Sequence, residues 1–394
     1  MNAVAKMQAQ PKPGLNLDDV ALRLSMARGK DEILEIVRRS ARPLVGADGV
    51  SFVLRDNGKC YYAEEDAISP LWKGQRFPME QCISGWAMLH RQTVVIEDIY
   101  ADDRIPHAAY RPTFVRSLIM VPVRQEDPVA AIGAYWAQRH RATPSEVQML
   151  QRLANCAAVA ITNVTLLTSL VASKEEAERA KDAIVLALAS LAETRDNDTG
   201  NHIRRTQHYV RALAEAARAH ARFRHELEGT TIDLLYRTAP LHDIGKVGIP
   251  DEILLKPGKL DEQEYAVMQT HTELGDRAIA DAAQHLGAAT PFLRLAQEIA
   301  RTHHERWDGT GYPNGLKGTE IPLSGRLMAI ADVYDALVSQ RIYKPALTHG
   351  EAVQVILAER GRHFDPELVD VFAEVAAVFD LIRQHYADTW PPGT

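Results

Sequence analysis

Residues 303–337 read HHERWDGTGYPNGLKGTEIPLSGRLMAIADVYDAL, and residues 241–260 read LHDIGKVGIPDEILLKPGKL. The first stretch joins His303 and His304, through a glycine-rich loop, to a helix-like run carrying Asp332. The second opens on the adjacent pair His242 and Asp243. Working outward, His202 precedes both and His271 lies between them. About one helix and one loop separate each group from the next. Successive helices of a bundle can therefore aim these side chains into one central pocket. Neighbours on a helix diverge by about 100°, so His242 and Asp243 can address different ions, or the carboxylate can bridge two. A lone His-Asp dipeptide says little, whereas the full order H…HD…H…HH…D is specific.

Histidine is distributed unevenly. Of fifteen, only His90, His107 and His140 precede residue 180. Histidine is the commonest side-chain metal ligand and the usual proton carrier near neutrality, which directs the search for chemistry to the C-terminal half. The 394 residues suffice for two to three domains of ordinary size. A 46% apolar and 25% charged composition excludes a mainly disordered or fibrous chain. The net charge of −7 argues against binding to duplex nucleic acid. Cys60, Cys82 and Cys156 form no CxxC pair and suit a reducing compartment. No apolar run is read as approaching the ~20 residues of a membrane span, so the expected location is the cytoplasm, away from any membrane.

Residues 1–29 read as a flexible lead-in. Helical spacing follows over 30–45, then strands at 49–55 and 59–63 joined by an Asp-Asn-Gly turn, a helix near 84–91, and strands at 93–96, 117–123 and 130–137. This is an α+β pattern with an antiparallel sheet and flanking helices. The order of elements, with VVIEDIYADDRI and FVRSLIMVPVR, resembles a GAF sensor domain, assigned to 30–143. That resemblance implies an unidentified small-molecule effector. Cys82 lacks the following histidine found beside bilin-attachment cysteines, so a phytochrome-like chromophore is not expected.

Thr143, Pro144 and Glu146 carry the signals of a helix start. Leu150, Leu153, Ala157, Ala160, Val164, Leu167 and Val171 then recur in steps of three and four, as in a coiled coil. The seam slips at Lys174 and resumes through Ala177, Ala180, Ile184, Ala187 and Leu191. The expectation is a linker helix over 144–192 that pairs two copies of the chain and couples the sensor to Glu193 and His202. A helix packed along one domain is the alternative.

Residues 193–394 read as an all-α bundle, joined to the GAF region by that long helix. The motifs at 241–260 and 303–337, with QRIYK at 340–344, resemble the HD-GYP branch of the HD phosphohydrolases. This resemblance implies hydrolysis of cyclic di-GMP to pGpG or GMP at a site of two or three divalent ions, usually iron or manganese. Zinc and nickel also suit imidazole and carboxylate ligands without thiolate. Carried over, the metal ligands are His202, His242, Asp243, His271, His303, His304 and Asp332, with Glu193 at a third ion. Asp243 is the bridging, catalytic carboxylate. Lys246 is expected to bind phosphate and assist the leaving oxygen. Arg341, Lys344, Tyr312 and Arg205 are the further substrate contacts expected, and the family suggests diguanylate cyclases as partners. Two other readings stay open: a receptor that binds cyclic di-GMP with little turnover, and an HD hydrolase of another nucleotide. Asp335, one turn beyond Asp332, reads equally as a supporting group or a solvated surface residue.

Overall fold

The computed structural model describes residues 16–195, 201–287, 290–340 and 345–387. Residues 1–175 and 176–394 form two separate units. In the first, α1 (Leu17–Met26) and α2 (Lys30–Val45) precede β1 (Gly49–Asp56), β2 (Lys59–Ala67) and β3 (Arg76–Pro78). Then come α3 (Ile83–His90), β4 (Val94–Ile96), α4 (His107–Tyr110), β5 (Ser117–Val123), β6 (Ala130–Trp136) and the start of α5 (Pro144–Thr194). The sheet runs β3-β2-β1-β6-β5-β4 and every pairing is antiparallel.

Side chains alternate across a strand, and both faces of this sheet are covered. Phe52, Ile119, Val121, Ile132 and Ala134 pack with α1, α2 and the beginning of α5. Val53, Leu118, Met120, Ala131 and Tyr135 face α3 and the loop around α4. The central strands β5 and β6 are consequently buried along their whole length.

Two expectations require correction. Part of the supposed flexible lead-in over 1–29 is α1, capped by the Asn16 side chain, which accepts from the Asp18 N–H at 3.1 Å. Leu17, Val20 and Leu24 share one face and are buried, so that face has a core to join. The second concerns α5. An 18-residue window within it has a mean hydropathy of 1.7, apolar enough to cross a membrane by length and composition. Residues 153–172 indeed carry no charge, contrary to the reading that no run is this long. The physical reason lies in the core: Leu150, Leu153, Ala154, Ala157, Ala160 and Val164 pack under the sheet of the first unit. Beyond them Leu167, Leu170 and Val171 are 62%, 66% and 56% exposed.

The second unit is helical: the end of α5, then α6 (Asn201–Ala217), α7 (Ala221–Arg224), α8 (Thr231–Thr238) and α9 (Asp251–Leu254). After these come α10 (Glu262–Gln269), α11 (His271–His285), α12 (Pro291–Thr302), α13 (Leu323–Val338), α14 (His349–Ala358) and α15 (Pro366–His385). Its main core is aromatic at the centre, where Tyr209, Tyr334, Phe372 and Phe379 are fully buried. Tyr209 stacks on Phe379 at 4.5 Å between ring centroids. This core fixes α6, which carries His202, against α15 and against α13, which carries Asp332.

Candidate metal centre

The His-Asp pair sits where α8 gives way to two 3₁₀ turns, Ala239–Leu241 and Ile244–Gly248. Gly245 allows the second turn to press against the start of α11. A Cβ at this position would lie 1.9 Å from the His271 carbonyl oxygen and 2.5 Å from the Gly275 nitrogen. Gly245→Ala is therefore expected to push α11 away from Asp243. Overpacking of this kind costs about 1–3 kcal/mol, visible as a lower denaturant midpoint together with a lower metal content.

Two clusters of potential ligands form. Asp243, His271, His303 and His304 make one, and His202, His242 and Asp332 the other, with the ligand atoms of each within 4.8 Å of one another. Asp243 joins them. Its Oδ1 lies 3.3 Å from His271 Nε2 and 3.5 Å from His303 Nε2. Its Oδ2 lies 3.3 Å from His242 Nε2 and 2.8 Å from Lys246 Nζ. His202 Nε2 stands 3.4 Å from His242 Nε2, 3.7 Å from Glu193 Oε1 and 3.9 Å from Asp332 Oδ1.

The tautomers follow from what stands behind each ring. A carbonyl oxygen only accepts, so Nδ1 must carry the proton where it meets one. His242 Nδ1–H donates to the Ala239 carbonyl at 2.9 Å, His271 to Met268 at 2.8 Å and His303 to Ile299 at 3.0 Å. His202 Nδ1–H donates to the Asp335 carboxylate at 2.8 Å. Each ring thus turns its Nε2 into the cluster, the arrangement that orients a metal-binding histidine.

The fit to cations rests on groups that find no partner among the described residues. Asp243 Oδ1, His271 Nε2 and His303 Nε2 are buried without a hydrogen bond, although such groups cost free energy when left unpaired. These three face one another, and a shared cation would satisfy all of them.

Electrostatics tell the same story. Burial works to lower the His202 imidazole, yet the hydrogen bond and charge of Asp335, with Glu193 and Asp332 beyond, push it up to about 10. Burial opposes ionisation of Asp243, but Lys246 and His242 hold its carboxyl well below the usual range. Burial, with His303 and His271 alongside, holds the His304 imidazole neutral. The acidic side of the centre calls for positive charge; the histidine side supplies neutral donors.

Around the centre, residues 305–318 fold back over His304. The buried Glu305 carboxylate accepts the Asn314 N–H at 2.8 Å and the Leu316 N–H at 3.0 Å. This brings the Tyr312 ring to 4.9 Å from that of His304, with Tyr265 on its other side at 6.3 Å. A Cβ on Gly311 would meet the Arg306 nitrogen at 2.3 Å, which explains the glycine in this tight return.

Among the anticipated substrate contacts, Lys246 and Tyr312 border the centre. Arg205 does not reach it as a substrate group. It is 2% exposed, and its guanidinium makes two bonds to Asp335, at 2.7 and 2.9 Å. An arginine three residues after His202 points along the same helix face, inward rather than to the opening. Arg341 and Lys344 lie outside the described residues. Sequence reasoning left Asp335 undecided and passed over Glu305. For Asp335, the available signal was its place one turn from Asp332.

Comparison with known proteins follows the same division. Residues 27–162 match the GAF domain model and residues 186–368 the HD domain model. The chain therefore carries a GAF domain followed by an HD domain, a helical type that binds divalent metal. A Vibrio cholerae protein named cyclic di-GMP phosphodiesterase is 52% identical over 230 residues, 58% of this chain and 46% of that protein. A Thermotoga maritima protein of the same name is 43% identical over 198 residues, half of each chain. A V. cholerae 3′3′-cGAMP-specific phosphodiesterase 2 is 43% identical over 205 residues, 52% of this chain and 37% of that one. The chain spans about half the length, or less, of these relatives.

Proposed function

We propose that the HD domain is a metal-dependent phosphodiesterase that hydrolyses cyclic di-GMP to pGpG or GMP. The observation that carries this is the convergence of three backed histidines on one carboxylate, with one Asp243 oxygen turned to each ligand cluster. His202, His242, His271, His303, His304, Asp243 and Asp332 would hold two divalent ions, and Glu193 would serve a third. Iron or manganese suits this thiolate-free set. When bound, such ions supply Lewis-acid polarisation of a phosphodiester and lower the pKa of water.

The chain's own groups would do the rest. Asp243 fixes the spacing of the two clusters, and neutral imidazoles leave the centre positive enough to attract a phosphodiester. Lys246, whose Nζ lies 2.8 Å from Asp243 Oδ2, is placed to add charge beside the scissile phosphate. Tyr312 offers an aromatic wall against a guanine. The 43% identity to a protein named for 3′3′-cGAMP supports testing that dinucleotide as a second substrate. The test is turnover of each dinucleotide by purified protein, before and after chelation. Activity on cyclic di-GMP that chelation abolishes and metal restores is the expected result; binding without turnover at full metal occupancy would indicate a receptor.

The GAF domain is proposed to regulate this activity in the cytoplasm through a small effector, in a dimer joined along α5. Leu167, Leu170 and Val171, all exposed in the single chain, are the residues proposed to pair. Leu167→Glu combined with Leu170→Glu should convert a dimer to a monomer by light scattering, with the metal content unchanged. Diguanylate cyclases are further proposed partners.

A further inference from the structure

Between β2, β3 and residues 103–110 the first unit holds a cavity of about 460 Å³. Tyr62, Trp72, Phe77 and Tyr110 supply its aromatic walls. Their rings meet at steep angles. Tyr62 stands at 61° to Trp72 and at 87° to Phe77, each with centroids 5.5 Å apart. Trp72 stands at 62° to Tyr110, with centroids 4.7 Å apart. Rings set at such angles enclose a volume, whereas stacked rings would fill it.

Polar contacts hold these walls in place. The Glu65 carboxylate accepts the Leu71, Trp72 and Lys73 N–H groups at 3.1, 2.9 and 2.9 Å, which pins the segment that carries Trp72. The Trp72 indole N–H donates to the Ala109 carbonyl at 3.2 Å. The Tyr62 hydroxyl meets that of Ser84 at 3.1 Å. Tyr110 is the exception. It is 3% exposed, yet its hydroxyl is buried without a hydrogen bond among the described residues. A buried hydroxyl left unpaired costs free energy, and a polar atom on a molecule in the cavity would satisfy it.

Charge selects the sign of that molecule. Glu80 and Asp103 line the cavity, are exposed and enter no ion pair among the described residues. The lining includes one arginine and no lysine or histidine. That arginine, Arg104, is already neutralised: its Nε and Nη2 reach the two Asp102 oxygens at 2.9 and 2.6 Å, and its guanidinium lies over the Trp86 ring. An anion would therefore meet two carboxylates and no uncompensated positive charge. A cation would meet those carboxylates and the negative faces of the rings, whose attraction grows when the cation is desolvated. A methylated ammonium suits such walls best, since its methyl groups hold water weakly and pack against aromatic surface.

We propose that the GAF cavity binds a small organic cation bearing a methylated ammonium group. The rings surround the ammonium, and the Tyr110 hydroxyl donates to an oxygen of the same molecule. The proposal rests on the GAF domain being an effector domain, and its test reads binding rather than turnover.

The full chain is titrated by calorimetry with choline, with tetramethylammonium, and with choline's neutral carbon isostere, which has a tert-butyl group in place of the trimethylammonium. Choline should bind about tenfold or more tighter than the neutral isostere. Tyr110→Phe keeps the ring, and should weaken choline by about fivefold while leaving tetramethylammonium unchanged. Trp72→Leu should abolish binding of both cations. Should that variant fail to fold, Glu80→Gln combined with Asp103→Asn, both at exposed positions, should weaken both cations, and more so at low salt. Equal binding of choline and its isostere, no binding of choline by the wild type, or equal losses for both cations in Tyr110→Phe would overturn the proposal. Choline binding that leaves cyclic di-GMP turnover unchanged would support the site and overturn only the regulatory reading of the GAF domain.

Discussion

Asp243→Asn is expected to lower cyclic di-GMP turnover by about 10³-fold or more while leaving the fold intact. The reasoning starts from one carboxylate facing two ligand clusters, with Oδ1 toward His271 and His303 and Oδ2 toward His242. An amide keeps the size but offers one acceptor oxygen and no charge. Metal catalysis supplies several kcal/mol of charge stabilisation, and each 1.36 kcal/mol is a factor of ten. Steady-state turnover and metal content, measured on the same sample, check this. Loss of about half the metal with loss of nearly all activity is the expected signature of a lost bridge. Full metal content with unchanged turnover would remove Asp243 from the centre of the account.

The second large effect is expected at Asp335, which is 1% exposed. It accepts His202 Nδ1–H on one side and the Arg205 guanidinium on the other. Burial opposes its charge, but His202 and Arg205 hold its carboxyl down to about 2. Its folded pKa is therefore depressed. Its contribution is full above the ordinary value of 3.8 and is lost as pH falls through about 2. Asp335→Asn removes the charge that two Arg205 hydrogen bonds reach, and breaking a buried pair from one side costs about 3–5 kcal/mol. Loss of the group orienting His202 should also weaken metal binding by about 10–100-fold. Denaturant unfolding reads the first effect, and metal competition with a chelator reads the second. Adding Arg205→Met should recover much of the stability but none of the metal affinity. Equal recovery of both would mean that Asp335 acts only as Arg205's partner.

Much of this centre was legible because its ligands are strong words in the sequence. Histidines at the ends of successive helices, with His242 beside Asp243, have few other reasons to recur in that order. The supporting residues were not legible for a physical reason. Asp335 and a solvated aspartate on the same helix look alike until tertiary packing shows which face is buried. Arg205 lies three residues from His202, and spacing alone could not tell a guanidinium facing the opening from one facing Asp335. Glu305 works through backbone N–H groups of Asn314 and Leu316, which leave no side-chain pattern to read.

The fold divides in the same way. The short apolar runs over 117–123 and 130–136 declared two strands buried on both faces, whereas the three-residue β3 is too short to show any period. The small apolar face of α1 was hidden in a polar stretch. In α5 the seam from Leu150 to Val164 is the packing surface of the first unit, and only from Leu167 onward does it face solvent. One periodic pattern thus serves two purposes, and period alone does not mark where the first ends.

The measurement that tests the central claim most directly is anaerobic hydrolysis of cyclic di-GMP by the purified chain, with metal quantified on the same sample. The account predicts conversion to pGpG or GMP with two or three divalent ions per chain, lost on chelation and regained with iron or manganese. Tight binding of cyclic di-GMP without hydrolysis, at full occupancy with either metal, would contradict it.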